Sequence, residues 1–233
     1  MIGPIVDSGA LALGGLAGAF FGVWIPERVK TTLPLIFGVI TISIGATLVD
    51  KASHMHMVVL ALILGSFLGE LFKVEYGLEF VIRKSIRWSK KHDNILDDAF
   101  IIQYITLISA FCFGSMGLFG AFNEGITGNP AILFTKAVLD LFSGLIFGAT
   151  MGIRVSFIAL PQFLILVGLY VSANVIAPFI SEAMLQDFTS CGGVIFLATG
   201  LRLCGIKIFP VINMLPSLAI VFPLTWLWLR FVN

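Results

Sequence analysis

Apolar residues run in long blocks along the chain, at 5–24, 34–50, 56–73, 99–121, 131–152, 156–178, 189–206 and 212–231, with charged or turn-forming residues at their ends. Each block comes near the ~17–25 residues that a helix needs to cross a bilayer. The pattern predicts an all-α, polytopic transmembrane helix bundle of about eight spans within a single integral membrane domain, 1–233. The weakest stretch is 156–206, where Pro161 and Pro178 interrupt the pattern and Glu182 and Asp187 separate two shorter runs. Seven spans, or one broken helix, fit it as well. Only the connection 74–98 is long enough to hold structure of its own. There Leu78, Val81, Ile82 and Ile86 recur at helical spacing, Glu79 and Arg83 form an i,i+4 pair, and Lys90 and Lys91 extend the polar face. This predicts an amphipathic helix along the membrane surface, either a basic anchor or a docking face.

Composition removes the alternatives to a membrane protein. The chain is 58% hydrophobic and 12% charged, with a mean hydropathy of +1.05, whereas soluble domains carry about 25% charged residues. Disorder requires low hydrophobicity and high net charge, and the formal net charge is +1. The lipid bilayer is therefore the first partner, and no nucleic acid is expected.

Lys and Arg set the orientation. Lys73, Arg83, Lys84, Arg87, Lys90 and Lys91 lie in or beside the 74–98 connection, which is accordingly expected in the cytoplasm. Alternation places 11 of the 14 basic residues on that side, leaving Lys51, Lys136 and Arg230 toward the other. Both termini are then periplasmic, with 48–58, 122–130 and 179–188 as external loops. The start Met1-Ile2-Gly3-Pro4 has no basic n-region, so the first span is expected to be retained.

Small residues predict the helix contacts. Gly14, Gly18 and Gly22 in the first span and Gly144, Gly148 and Gly152 in the fifth recur at i, i+4, i+8, and Gly65 and Gly69 repeat the spacing once. In lipid, helices associate through close backbone approach at such positions. The stripes suit packing within one bundle or between subunits, and three of them in a small chain favour a homodimer. Gly38 and Gly45 echo Gly193 and Gly200, which suggests duplicated halves. The first pair of stripes joins parallel spans and the second antiparallel ones, however, and no single duplication gives both.

Ionisable groups inside the apolar blocks are the candidates for chemistry, because each costs ~2.5–3.5 kcal/mol or more at the bilayer centre. Asp140 stands out. With a helix beginning near Pro130 it lies on the order of 15 Å deep, and Lys136 at i−4 shares its face. A structural alternative has Lys136 snorkelling to the interface while Asp140 caps a helix contact. The preceding segment holds Glu124, Thr127 and Asn129, with Asn129 suited as N-cap and Pro130 at N1. Free backbone donors there are able to meet an anion or ion.

Asn174 and Asn213 are secondary candidates to complete a substrate- or ion-binding site. Thr41, Ser43, Thr47, Thr189 and Ser190 are expected to bond to neighbouring helices. His54-Met55-His56-Met57 offers copper-type donors but only one short tract. Cys112, Cys191 and Cys204 lack paired spacing, so no disulfide is expected. Neither HExxH, GxSxG nor a Walker loop occurs, and no enzymatic activity, cofactor or metal is expected.

The residues Phe113-Gly114-Ser115-Met116-Gly117, Gly120-Ala121, Glu124-Gly125-Ile126-Thr127-Gly128 and Thr135-Lys136-Ala137-Val138-Leu139-Asp140 form a connected pattern. It continues in Gly192-Gly193, Gly205-Ile206-Lys207 and Asn213-Met214-Leu215-Pro216. The pattern resembles the bacterial inner-membrane family catalogued as domain of unknown function 554, over nearly the whole chain. The resemblance implies a multi-pass protein of the bacterial inner (plasma) membrane and carries no function with it. Two classes of function follow from the residues: a transporter of an unknown small solute or ion using Lys136 and Asp140, or a non-transporting membrane scaffold or regulator working through 74–98.

Overall fold

A computed structural model describes residues 1–78, 80, 84 and 98–231. Each apolar block falls on helix, and no strand occurs among the described residues. The helices are α1 (Ile2–Phe21), α2 (Glu27–Val49), α3 (Met55–Leu71), α4 (Asp98–Phe113), α5 (Ser115–Thr127) and α6 (Ala131–Met151). They continue with α7 (Ala159–Ile176), α8 (Glu182–Leu203), the short α9 (Val211–Met214) and α10 (Pro216–Phe231). Tighter 3-10 turns occupy Gly22–Trp24, Gly152–Ile158 and Ala177–Phe179.

Among the described residues, five helical stretches are long and apolar enough to cross a membrane: Ile2–Phe21, Glu27–Val49, Gln103–Thr127, Ala131–Phe179 and Val211–Phe231. Met55–Leu71 is apolar but shorter. The expected surface helix at 74–98 lies largely outside the described residues.

Two boundaries differ from expectation. The block at 99–121 is not one helix, because Gly114 turns extended, with ψ 136°, and separates α4 from α5. Helix α5 then runs to Thr127, so most of the expected loop 122–130 is helical; Gly128, at φ +73°, ends it by donating its N–H to the Glu124 carbonyl. The second difference is at 179–188. Ser181 caps α8 by accepting the Met184 N–H at 3.3 Å, which puts Asp187 in the second turn of a helix instead of an external loop.

The chain forms two compact units, Met1–Lys30 with Glu75–Ala173, and Thr31–Val74 with Asn174–Asn233. Glycine governs the packing in each. In the first, a Cβ at Gly14 would meet the Leu141 carbonyl, one at Gly18 the Leu145 carbonyl, and one at Gly22 would meet Ala149; Gly144 and Gly148 abut the α1 backbone in turn. The paired numbers rise together, so α1 and α6 run parallel. In the second unit Gly38 abuts Gly200 and Gly45 abuts Gly193, an antiparallel contact of α2 with α8. Gly65 and Gly69 abut Ser217 and Asn213. The glycine sets that echo one another in the sequence are thus the two faces of a single contact.

All three stripes are consumed inside the chain, which leaves the stripe argument for a homodimer without a surface. Gly152 is a correction to the packing set. Its φ is +71° and nothing lies within 4 Å of where a Cβ would stand, so it is there to end α6 in a conformation other residues avoid.

Candidate functional site

The first unit buries its charge at the crossing of α1, α6 and α7. Lys136 does not snorkel, since its side chain is 6% exposed. One turn of α6 brings its Nζ onto Asp140 Oδ2, and the same ammonium donates to Asp7 Oδ2 at 2.9 Å. Gln162 Nε2 donates to the same two oxygens, at 2.7 Å to Asp7 and 2.9 Å to Asp140. Two acceptors and two donors therefore close a ring, with both carboxylates bridged twice. The Asp7 side chain is fully buried and that of Asp140 is 9% exposed.

Glycine contacts hold the helices that carry this ring close together. Parallel contact of α1 with α6 brings Asp7 alongside the Lys136–Asp140 face. On α5, a Cβ at Gly117 would stand 3.0 Å from Lys136 Cε. The first turn of α5, which begins after the break at Gly114, thus lies beside the Lys136 stem, where its partial positive charge bears on the cluster. Asp7 Oδ1, Gln162 Oε1 and the neighbouring Ser8 Oγ are buried and have no hydrogen-bond partner among the described residues.

The remaining expected site residues are dispersed. Glu124 is buried in the first unit, but its Oε1 lies 2.8 Å from the Met1 α-amino nitrogen and accepts the Gly3 N–H at 3.2 Å. Burial alone would lower the basicity of that amino group; hydrogen bonds and charge from Glu124 and Tyr170 raise it above its ordinary value.

Thr127 and Asn129 are exposed. Thr127 donates to the Asn123 carbonyl at 2.8 Å and accepts the Asn129 N–H at 3.1 Å, while Asn129 Oδ1 accepts the Ala131 N–H at 3.0 Å. The N-cap position is occupied by Pro130, one residue later than expected, and these groups join α5 to α6. Asn174 is exposed in the last turn of α7 and Asn213 is buried against Gly69; both belong to the second unit.

The second unit holds a cluster that spacing did not announce. The fully buried Asp187 accepts the His54 backbone N–H at 2.6 Å through Oδ1, and through Oδ2 the Thr225 hydroxyl at 2.8 Å. His54 Nδ1 lies 3.2 Å from Oδ2, and the rings of His54 and His56 flank Trp228. Imidazole here orients on a carboxylate and an aromatic ring, and no group of three or more His, Cys, Asp or Glu suited to a metal occurs among the described residues. The hydroxyls of Thr41, Ser43 and Thr189 bond back to carbonyls one turn earlier, and Ser190 donates to the Val49 carbonyl.

Apolar helices with a charged ring closed between them define a helical membrane protein. The chain belongs to the family described as "Protein of unknown function (DUF554)", whose model matches residues 2–226. A relative from Escherichia coli (strain K12), "Uncharacterized protein YqgA", is 41% identical over 231 residues, 98% of this chain and 97% of its own. Another from Bacillus subtilis (strain 168), "Uncharacterized membrane protein YdfK", is 25% identical over 224 residues, 94% of this chain and 93% of its own. No solved structure matches.

Proposed function

We propose that the protein is a transporter of a small solute or ion in the bacterial inner membrane, with eight crossings, periplasmic termini and no enzymatic activity. Its working site is the ring of Asp7, Lys136, Asp140 and Gln162. The observation that carries this reading is the burial of three ionisable side chains, bridged to one another, on two contacting helices of a largely apolar chain. Such groups are costly in a bilayer and typically mark ion and substrate paths. The broken helix α4–α5 supports it too, because interrupted helices beside a polar site are a recurrent transporter device.

A scaffold role is favoured by one feature, the closure of the ring on itself with its side chains nearly inaccessible. Purified protein in liposomes separates the two. Flux of a solute or ion that falls at least tenfold in Asp140→Asn is the expected result. Flux equal in both proteins removes Asp140 from the mechanism, and no flux in an ion and solute survey favours the scaffold.

A further inference from the structure

The ring lacks something. Two carboxylates, Asp7 and Asp140, face one ammonium, Lys136, so the ionised cluster carries one negative charge in excess. The amide of Gln162 is neutral, and the amino end of α5 contributes at most about half a charge. The hydrogen bonding is unbalanced in the same sense. Asp7 Oδ1 and Gln162 Oε1 are acceptors on fully buried residues with no donor among the described residues. Both deficits have one remedy, a positively charged group that can also donate a hydrogen bond. An uncompensated charge in a low-dielectric interior is expensive, and so is an unmatched buried acceptor.

We propose that this site binds one proton, shared by the Asp7–Asp140 pair and seated on Asp7, and that the proton is the ion the transporter couples to or carries. The inference rests on the transport reading for its purpose but not for its chemistry. A proton from solvent adds to Asp7 Oδ1, turning the carboxylate into a neutral carboxyl and an orphan acceptor into a donor, and returns to water when the site opens. No other bond changes. Asp7 Oδ2 keeps its two donors throughout, so the ring survives both states. A proton requires no coordination shell, whereas a metal cation needs several oxygens around it; each acid already gives its Oδ2 to two donors, which favours the proton. The groups that bear on the titration are Asp7 and Ser8 on α1, Cys112 on α4, the amino end of α5, Lys136 and Asp140 on α6, and Gln162 on α7.

Infrared difference spectra of the full chain in nanodiscs, recorded across a pH series in H2O and D2O, test this directly. A protonated-carboxyl band that appears on acidification, shifts in D2O, and is lost in Asp7→Asn and in Asp140→Asn is expected. It should persist in Glu124→Gln and Asp187→Asn, the controls for the other buried acids. Each ring variant leaves one carboxylate against one ammonium, so both should fold; failure of both contradicts the charge balance. A band unchanged in the two ring variants overturns the proposal. So does a band suppressed by Na⁺ at fixed pH in wild type but not in Asp7→Asn, which would assign the site to a metal cation. A titrating band without flux of any ion removes the transport reading and leaves the proton site, while flux without titration does the reverse.

Discussion

Asp7 and Asp140 reach the same ammonium and the same amide from two helices that run parallel, each through its Oδ2. Neither acid is independent of the other. Lys136 is the group that allows both to be buried.

Replacing Lys136 with Met should therefore be far worse than replacing either acid. It leaves two carboxylates facing each other without a counter-charge, and breaking a buried pair in this way costs about 3–5 kcal/mol. Asp140→Asn leaves a balanced Asp7–Lys136 pair and should cost much less. Adding Asp140→Asn to Lys136→Met should recover part of the loss. Unfolding of the purified variants in one detergent checks the order, and equal stability of Lys136→Met and Asp140→Asn would contradict it.

The glycine contacts make a graded prediction. Gly18 sits against the α6 backbone, so Gly18→Leu should abolish the α1–α6 contact and with it folded, monodisperse protein. Gly9→Ala and Gly168→Ala, with nothing within 4 Å, should be silent or slightly stabilising. Gly152→Ala also has space, but its φ of +71° with ψ −161° is a backbone conformation essentially restricted to glycine and should cost about 1–3 kcal/mol. Thermal melts followed by size-exclusion chromatography distinguish packing from backbone strain.

In the second unit, Asp187 ties the start of α3 and the body of α10 to α8. Thr225→Val removes one hydrogen bond to a carboxylate and should cost about 1.5–3 kcal/mol. Asp187→Leu should cost more, since it strands the His54 N–H and the Thr225 hydroxyl together. In the double variant the two losses should not add, and a double-mutant cycle with no coupling would remove the interaction.

Much of this arrangement was legible in the sequence, for identifiable reasons. Periodicity and length locate the helices, and the price of a charge in lipid singles out Lys136 and Asp140, whose i,i+4 spacing already puts them on one face. The glycine stripes declare close packing but not their partners, because any stripe fits any other until the chain direction is fixed.

Asp7 lies only two residues into an apolar block, where an acid reads as interfacial; its helix in fact begins at Ile2 and carries it inside. Gln162 gave no charge to notice. Asp187 and His54 fall in the expected loops 179–188 and 48–58, and Gly114 lies inside one continuous apolar block. Each of these depends on a contact distant along the chain, or on a backbone angle that residue type leaves open. The ring's second acid and its amide were therefore visible only in three dimensions.

The most direct test of the buried ring as a site that moves charge is a current measurement on proteoliposomes adsorbed to a solid-supported membrane and subjected to a sudden pH step. Wild type should give a transient current on acidification, and Asp7→Asn and Asp140→Asn should each lose it while Glu124→Gln retains it. The same current in wild type and both ring variants, or none in any protein, would contradict the account.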